Sequence, residues 1–195
     1  MDLNSFLGNN DKRLFKIKFI SAETKIIRGL SPLGLLQILV KFINTKIFSN
    51  SMEETIVTKS VQQTRELGEK VARELTGGSI LVLYGELGSG KTTFVQGLAK
   101  GLGIKKRVIS PTFIIIRSYA LKSQKLKFFY HIDLYRVEDQ EDLQGLGLEE
   151  ILADPQNIIA IEWAENLGDL LPKKRWDVWF EYIEEEKRKI TWKKM

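Results

Sequence analysis

The 195-residue chain contains no cysteine, which excludes disulfide frameworks and zinc–thiolate sites and suits a reducing cytoplasm. It has one histidine, His131, without an evident partner in the sequence, and a lone histidine of this kind reads as structural. No apolar run approaches the roughly 20 residues needed to cross a bilayer, so no membrane association is expected. Internal repeats and low-complexity tracts are absent. What remains is a soluble protein, long enough for one α/β domain and an appendage.

A charge excess is also missing from most of the chain. The net charge is +5. Residues 1–51 hold eight Lys or Arg against three acids, and residues 52–195 hold 22 of each. The excess therefore belongs to the N-terminal segment. That segment is rich in Asn, Ile and Phe, with an interrupted apolar patch from Leu33 to Ile43. The patch is too short for a membrane span and misplaced for a secretory signal. Met52 opens a stretch that resembles a natural start. Residues 1–51 are thus expected to be a basic extension without a fold of its own, with an accessory segment or targeting peptide as alternatives, and residues 52–195 to be the folded domain. Lys105-Lys106-Arg107 and Lys122 to Lys127 are short basic runs that could touch RNA but more commonly form solvated loops.

One stretch is specific. Gly85-Glu86-Leu87-Gly88-Ser89-Gly90-Lys91-Thr92 fits the phosphate-binding pattern G-x-x-x-x-G-K-[ST]. Ile80–Tyr84 before it reads as a strand buried on both faces, and Thr93 to Leu102 after it has helical apolar spacing, with Gly101 or Gly103 as C-cap. Glycines let successive N–H groups turn inward around phosphates, and the helix N-terminus adds its partial positive charge. Lys91 is placed to reach the β- and γ-phosphates, and Thr92 to ligate Mg²⁺.

Around this unit, Thr55–Thr58 reads as a short edge strand. Ser60 is an N-cap with Gln63 at the capping-box position, opening a helix whose stripe of Leu67, Val71 and Leu75 ends at Gly77-Gly78. Val108–Ile116 carries a loop at Ser110 to Thr112, where Thr112 could sense Mg²⁺ and a γ-phosphate, or simply begin a strand. Ile114–Ala120 and Leu126–Ile132 read as strands. Asp133 then lies just past a buried strand, where ligands of open α/β sheets sit. Glu138–Leu152 is acidic and helical in pattern, interrupted by Gly145 and Gly147. Ile158–Ile161 followed by Glu162 is Walker-B-like, with Glu where Asp is commoner. Trp176–Ile183 and Lys187–Trp192 read as an antiparallel hairpin at the sheet edge.

GELGSGKTTF, SPTF, YHIDLYR, a Leu-Gly-Leu-Glu-Glu segment and IEW, in this order, resemble the TsaE (YjeE) family, the small ATPase of bacterial tRNA threonylcarbamoyladenosine biosynthesis. The resemblance runs from about Ser60 to Trp192. It implies a P-loop NTPase fold of the α/β class: a mainly parallel sheet flanked by helices, with antiparallel edge strands. It also implies that Lys91 and the backbone from Glu86 to Thr93 bind ATP, that Thr92 and Glu162 hold Mg²⁺, and that Asp133 orients the attacking water or assists at the metal. Thr112 would sit on a switch-like loop. The implied partners are TsaD and TsaB, with TsaD modifying adenosine 37 of tRNAs that read codons starting with adenine, and the tRNA reached through that complex. Adenine contacts are open, with the segment near Ser60 and the Arg188 strand as candidates. Hydrolysis is expected to be slow without partners. No arginine finger is evident, although Arg136, close after Asp133, is a residue to test.

Further absences narrow the rivals. No Asn-Lys-x-Asp guanine reader occurs, against a GTPase, and no Arg cluster follows the core strands to make a kinase lid. A small P-loop kinase, or an adaptor in which ATP binding rather than hydrolysis matters, stays as the alternative.

Overall fold

A computed structural model describes residues 53–109, 115–137 and 139–195. The expectations for residues 1–51 and for Thr112 lie outside these. In chain order the elements are β1 (Glu54–Thr58), α1 (Val61–Ala72), β2 (Ser79–Tyr84), α2 (Lys91–Gly101), β3 (Ile116–Ala120), β4 (Phe128–Asp133), α3 (Leu148–Ala153), β5 (Asn157–Glu162), β6 (Trp176–Glu184) and β7 (Lys187–Lys194). Short 3-10 segments cover Gln140–Leu143 and, broken by a kink at Gly168, Ala164–Leu170.

The seven strands form one sheet in the order β1-β7-β6-β2-β5-β4-β3. Strands β6, β2, β5 and β4 run parallel. Strand β3 joins one side antiparallel, and β7 and β1 join the other. Parallel strands carry helices on both faces and so must be apolar on both. All six positions of β5 and the middle four of β2 are buried.

On one face Ile80, Val82, Ile132, Ile159 and Ile161 pack with Leu143, Leu148 and Leu167 from α3 and the 3-10 segments. Side chains alternate along a strand, so Leu81 and Leu83 point to the other face, together with their register partner Val178 and, two residues on, Phe180. There Phe94 of α2 meets Phe180 edge-on with ring centroids 5.5 Å apart. Helices α1 and α2 therefore cover the second face. They approach closely: a Cβ at Gly97 would stand 2.0 Å from the Arg65 carbonyl, and one at Gly68 would stand 2.2 Å from that of Phe94.

Several expectations shift. Helix α1 is capped by Ser60, whose Oγ accepts from the Gln63 amide at 3.1 Å, but Gln63 reaches back to the Lys59 amide at 2.8 Å. The helix stops at Ala72, before Gly77, because Arg73, Glu74 and Leu75 tighten into three-residue hydrogen bonds. Gly77 serves a close approach instead, since a Cβ there would meet the Pro155 carbonyl at 2.3 Å. The acidic Glu138–Leu152 stretch is divided where Gly145 and Gly147 take φ of 77° and 66°. Strand β4 runs to Asp133, which is thus its last residue and not one past its end. The C-terminal hairpin does not lie at the sheet edge: β6 pairs with β2 in the interior, β1 covers β7, and β1 is the edge. Among the described residues no helix is long and apolar enough to cross a membrane.

Candidate functional site

The site begins where β2 ends. Gly85, Gly88 and Gly90 adopt φ of 135°, 77° and 104°, conformations that suit glycine. At Gly85 the need is doubled, because a Cβ would also stand 2.4 Å from the Phe180 carbonyl of β6. The loop folds over itself through the Ser89 amide donating to the Glu86 carbonyl at 3.1 Å, and α2 starts at Lys91. Gly88 through Thr93 line a cleft of about 200 Å³ with Leu87, Asp133, Tyr135, Glu162 and Trp163.

Two strand ends supply the acids. Glu162 and Asp133 are register partners at the carboxyl ends of β5 and β4, and Glu162 also faces Leu83 of β2. Both therefore lie on the face covered by α2. The Thr92 hydroxyl, in the first turn of α2, donates to Glu162 Oε2 at 2.9 Å. His131, two residues before Asp133 and so on the same face, sits 2.8 Å from Glu162 Oε1 through Nε2. A carboxylate only accepts, so Nε2 carries the proton. Glu162 is 2% exposed and His131 fully buried, and both carboxylate oxygens are thus held. Asp133 Oδ1 accepts the Tyr135 amide at 3.2 Å.

Lys91 is 4% exposed. Its Nζ donates to the Gly85 carbonyl and to the Glu86 carbonyl, the latter at 3.0 Å, and lies 4.1 Å from the centroid of the Trp163 ring. Burial pulls its pKa below the ordinary lysine value, against the opposing pull of Glu162, Glu165, Asp133 and Glu86. A buried ammonium with only partial compensation is a strong anion site. Ser89 Oγ, buried and without a hydrogen-bond partner among the described residues, points the same way. For a divalent ion, Thr92, Glu162 and Asp133 offer oxygen donors only. No cluster of three or more His, Cys, Asp or Glu suited to a metal occurs among the described residues. One or two carboxylates with a hydroxyl is the donor set of Mg²⁺, which keeps waters and phosphate oxygens as its other ligands.

Trp163 adopts φ 58°, ψ 44°, a left-handed conformation that a bulky residue rarely takes and that concentrates at functional sites. Its ring centroid lies 5.0 Å from that of Tyr135, so two aromatic residues wall the mouth of the cleft. A larger hollow of about 570 Å³, lined by Gly145, Glu149, Glu150 and Asp169 among others, has acids and no basic residue among its described lining, whereas the smaller cleft holds Lys91.

The expected residues are thus brought together with three exceptions. Gly85 and Glu86 serve through their carbonyls and do not line the cleft, and Thr112 lies outside the described residues. Arg136 is exposed and does not line the cleft. The Ser60 hydroxyl is occupied as a helix cap, while Arg188 Nη2 donates to the Gly88 carbonyl at 3.3 Å, behind the loop. The sequence reading missed the roles of His131, Tyr135 and Trp163. Alternation along β4 could have found His131, which shares a face with Asp133.

A strand, glycine loop and helix, beside a parallel strand that ends in a buried acid bonded to the loop's threonine, define a P-loop NTPase-type fold. The family model described as Threonylcarbamoyl adenosine biosynthesis protein TsaE matches residues 58–190. Curated proteins named tRNA threonylcarbamoyladenosine biosynthesis protein TsaE are similar throughout this domain. The one from Bacillus subtilis is 37% identical over 69% of this chain and 81% of its own, and that from Treponema pallidum is 36% identical over 69% and 96%. That from a Nostoc species is 44% identical over 63% and 70%. The crystal structure of Bacillus subtilis YdiB superposes with a TM-score of 0.61 at 29% identity, covering 74% of this chain and 87% of the other. The chain belongs to the TsaE family.

Proposed function

We propose that this protein binds ATP with Mg²⁺ in the cleft and hydrolyses it to support threonylcarbamoylation of adenosine 37 in tRNAs reading codons that start with adenine, acting with TsaD and TsaB. The observation that carries the nucleotide reading is the 2.9 Å bond from Thr92 to Glu162. It joins the phosphate-loop helix to the acid of the neighbouring strand. The names of the relatives carry the pathway.

The chain's own groups fit phosphoryl transfer to water, which depends on positioning and charge neutralisation more than on covalent chemistry. Loop amides and Lys91 hold the phosphate oxygens. Thr92 and Glu162 would ligate Mg²⁺, which supplies charge neutralisation at the transferring phosphoryl group. His131 keeps Glu162 in one orientation. Asp133, the last residue of β4, would accept a hydrogen bond from the attacking water or from a metal-bound one. Tyr135 and Trp163 line the wall of the cleft. Lys91 is the sole basic side chain among the described lining residues, so turnover is expected to be slow until a partner completes the site.

The test is to quantify threonylcarbamoyladenosine in tRNA hydrolysates from cells depleted of this protein and rescued with wild type or Lys91→Ala. Loss of the modification on depletion, restored only by wild type, is the expected result. An unchanged level throughout would sink the proposed pathway role.

A further inference from the structure

A second cleft, of about 350 Å³, lies on the α1–α2 side of the sheet. It is lined by Arg65, Gln96, Lys100, Lys106 and Arg107 over a floor of Ala99, Ile104 and Val108, and no acid lines it among the described residues. Its shape is built in. The contact at Gly97 brings the two helix backbones together, and this sets Arg65 of α1 beside Gln96 of α2. Arg65 Nη2 donates to Gln96 Oε1 at 3.2 Å and Nη1 donates to Gln62 Oε1 at 3.4 Å. The Gln96 amide donates in turn to the Val108 carbonyl at 3.0 Å, anchoring the segment that carries Lys106 and Arg107.

The guanidinium is therefore oriented by neutral amides and pairs with no acid among the described residues. Lys100 does have a partner, Glu69 at 2.7 Å, in a pair whose lysine is exposed and whose glutamate is half-buried. Lys106 and Arg107 are exposed and make no ion pair among the described residues. The opposite face of the sheet carries the reverse charge, in the hollow lined by Glu149, Glu150 and Asp169. The domain's zero net charge conceals this polarity.

Cations without an acid partner, here Arg65, Lys106 and Arg107 among the described residues, read phosphates, and forked guanidinium groups match them best. Among the described residues the lining has no aromatic ring for a base to stack on, so it suits a backbone and carries no sequence preference. It also lacks the aromatic anchors typical of a protein interface core. We propose that this groove holds the phosphate backbone of RNA, through Arg65, Lys100, Lys106 and Arg107. The contact is direct, in addition to whatever reaches the protein through partner subunits, and it does not depend on the nucleotide site.

The experiment is fluorescence anisotropy of the full chain with a labelled tRNA transcript, between about 50 and 200 mM salt. Residues 1–51, themselves basic, are present in every variant, so their contribution cancels. K106A/R107A is expected to weaken binding about tenfold or more and to lower the log–log salt slope by about 2, with R65A lowering it by about 1. K173A/K174A removes two exposed lysines from the loop before β6 and is expected to change neither. Mg²⁺-dependent phosphate release should be as in wild type for all of these variants. Binding by K106A/R107A equal to wild type, or weakened no more than in K173A/K174A, would overturn the proposal and leave the groove to an acidic protein surface.

Discussion

Two parallel strands flank the phosphate-loop strand, and they are built differently. On one side β5 is buried at every position and ends in Glu162. On the other, β6 is buried only in its first half, at Asp177, Val178 and Phe180, and its last four residues are exposed. The β5 side delivers charge into the cleft: Glu162, with Asp133 next to it and His131 behind it. The β6 side delivers backbone and packing, with the Phe180 carbonyl against Gly85, the Trp179 ring 5.6 Å from that of Tyr84, and Arg188 of β7 on the Gly88 carbonyl. A loop that must hold a charged ligand needs one rigid wall and one reactive wall. In this domain the two functions fall on different neighbours of one strand.

That division makes a prediction for each wall. Gly85→Ala adds a Cβ at positive φ, 2.4 Å from the Phe180 carbonyl. A loss of about 3 kcal/mol in unfolding free energy is expected by urea denaturation; a stability equal to wild type would show that β6 does not brace the loop. On the reactive wall, Glu162→Gln is expected to lower Mg²⁺-dependent phosphate release by about 100-fold, the order of one well-placed electrostatic group. Its melting temperature should match or exceed that of wild type, because a buried carboxylate becomes a neutral amide. A large fall in melting temperature would instead make Glu162 a structural residue.

A milder change is expected at His131→Leu. The replacement removes the donor that holds Glu162 Oε1 and should raise the Mg²⁺ concentration for half-maximal activity about tenfold, the usual scale for a group supporting a metal ligand. Most of the rate should return at saturating Mg²⁺; a loss that excess metal does not relieve would place His131 in the reaction itself. Smallest is Arg188→Ala, which removes one partly exposed hydrogen bond to the loop and is expected to cost under about 1 kcal/mol, with phosphate release within about threefold of wild type. If it abolished hydrolysis while leaving stability intact, the rigid wall would also be a chemical one.

The parts of this site that were legible beforehand are those that a short stretch of chain builds alone. Gly85 to Thr93, the buried run ahead of them and the helix behind them are contiguous, so glycine spacing and apolar periodicity suffice to describe them. Asp133 and Glu162 were legible because each closes an apolar run, and the end of a buried strand in a parallel sheet is a ligand position. His131 was not. Its partner is 31 residues away, and the pairing exists only because β4 and β5 lie side by side in one register. Trp163 was visible as a residue but not as the ring over Lys91, since nothing local marks its left-handed backbone.

Local composition thus determined that this domain carries a phosphate loop between a buried strand and a helix, and which acids accompany it, because those features depend on backbone angles and solubility within a few residues. Strand order decided the rest. It placed the C-terminal hairpin beside β2 and not at the edge, and it put Glu162 beneath Thr92. Beyond the sheet, the packing of α1 on α2 at Gly97 gathered Arg65, Lys106 and Arg107 into one groove on a domain of zero net charge. These depend on which distant segments share a sheet face, a choice made by packing the whole core at once.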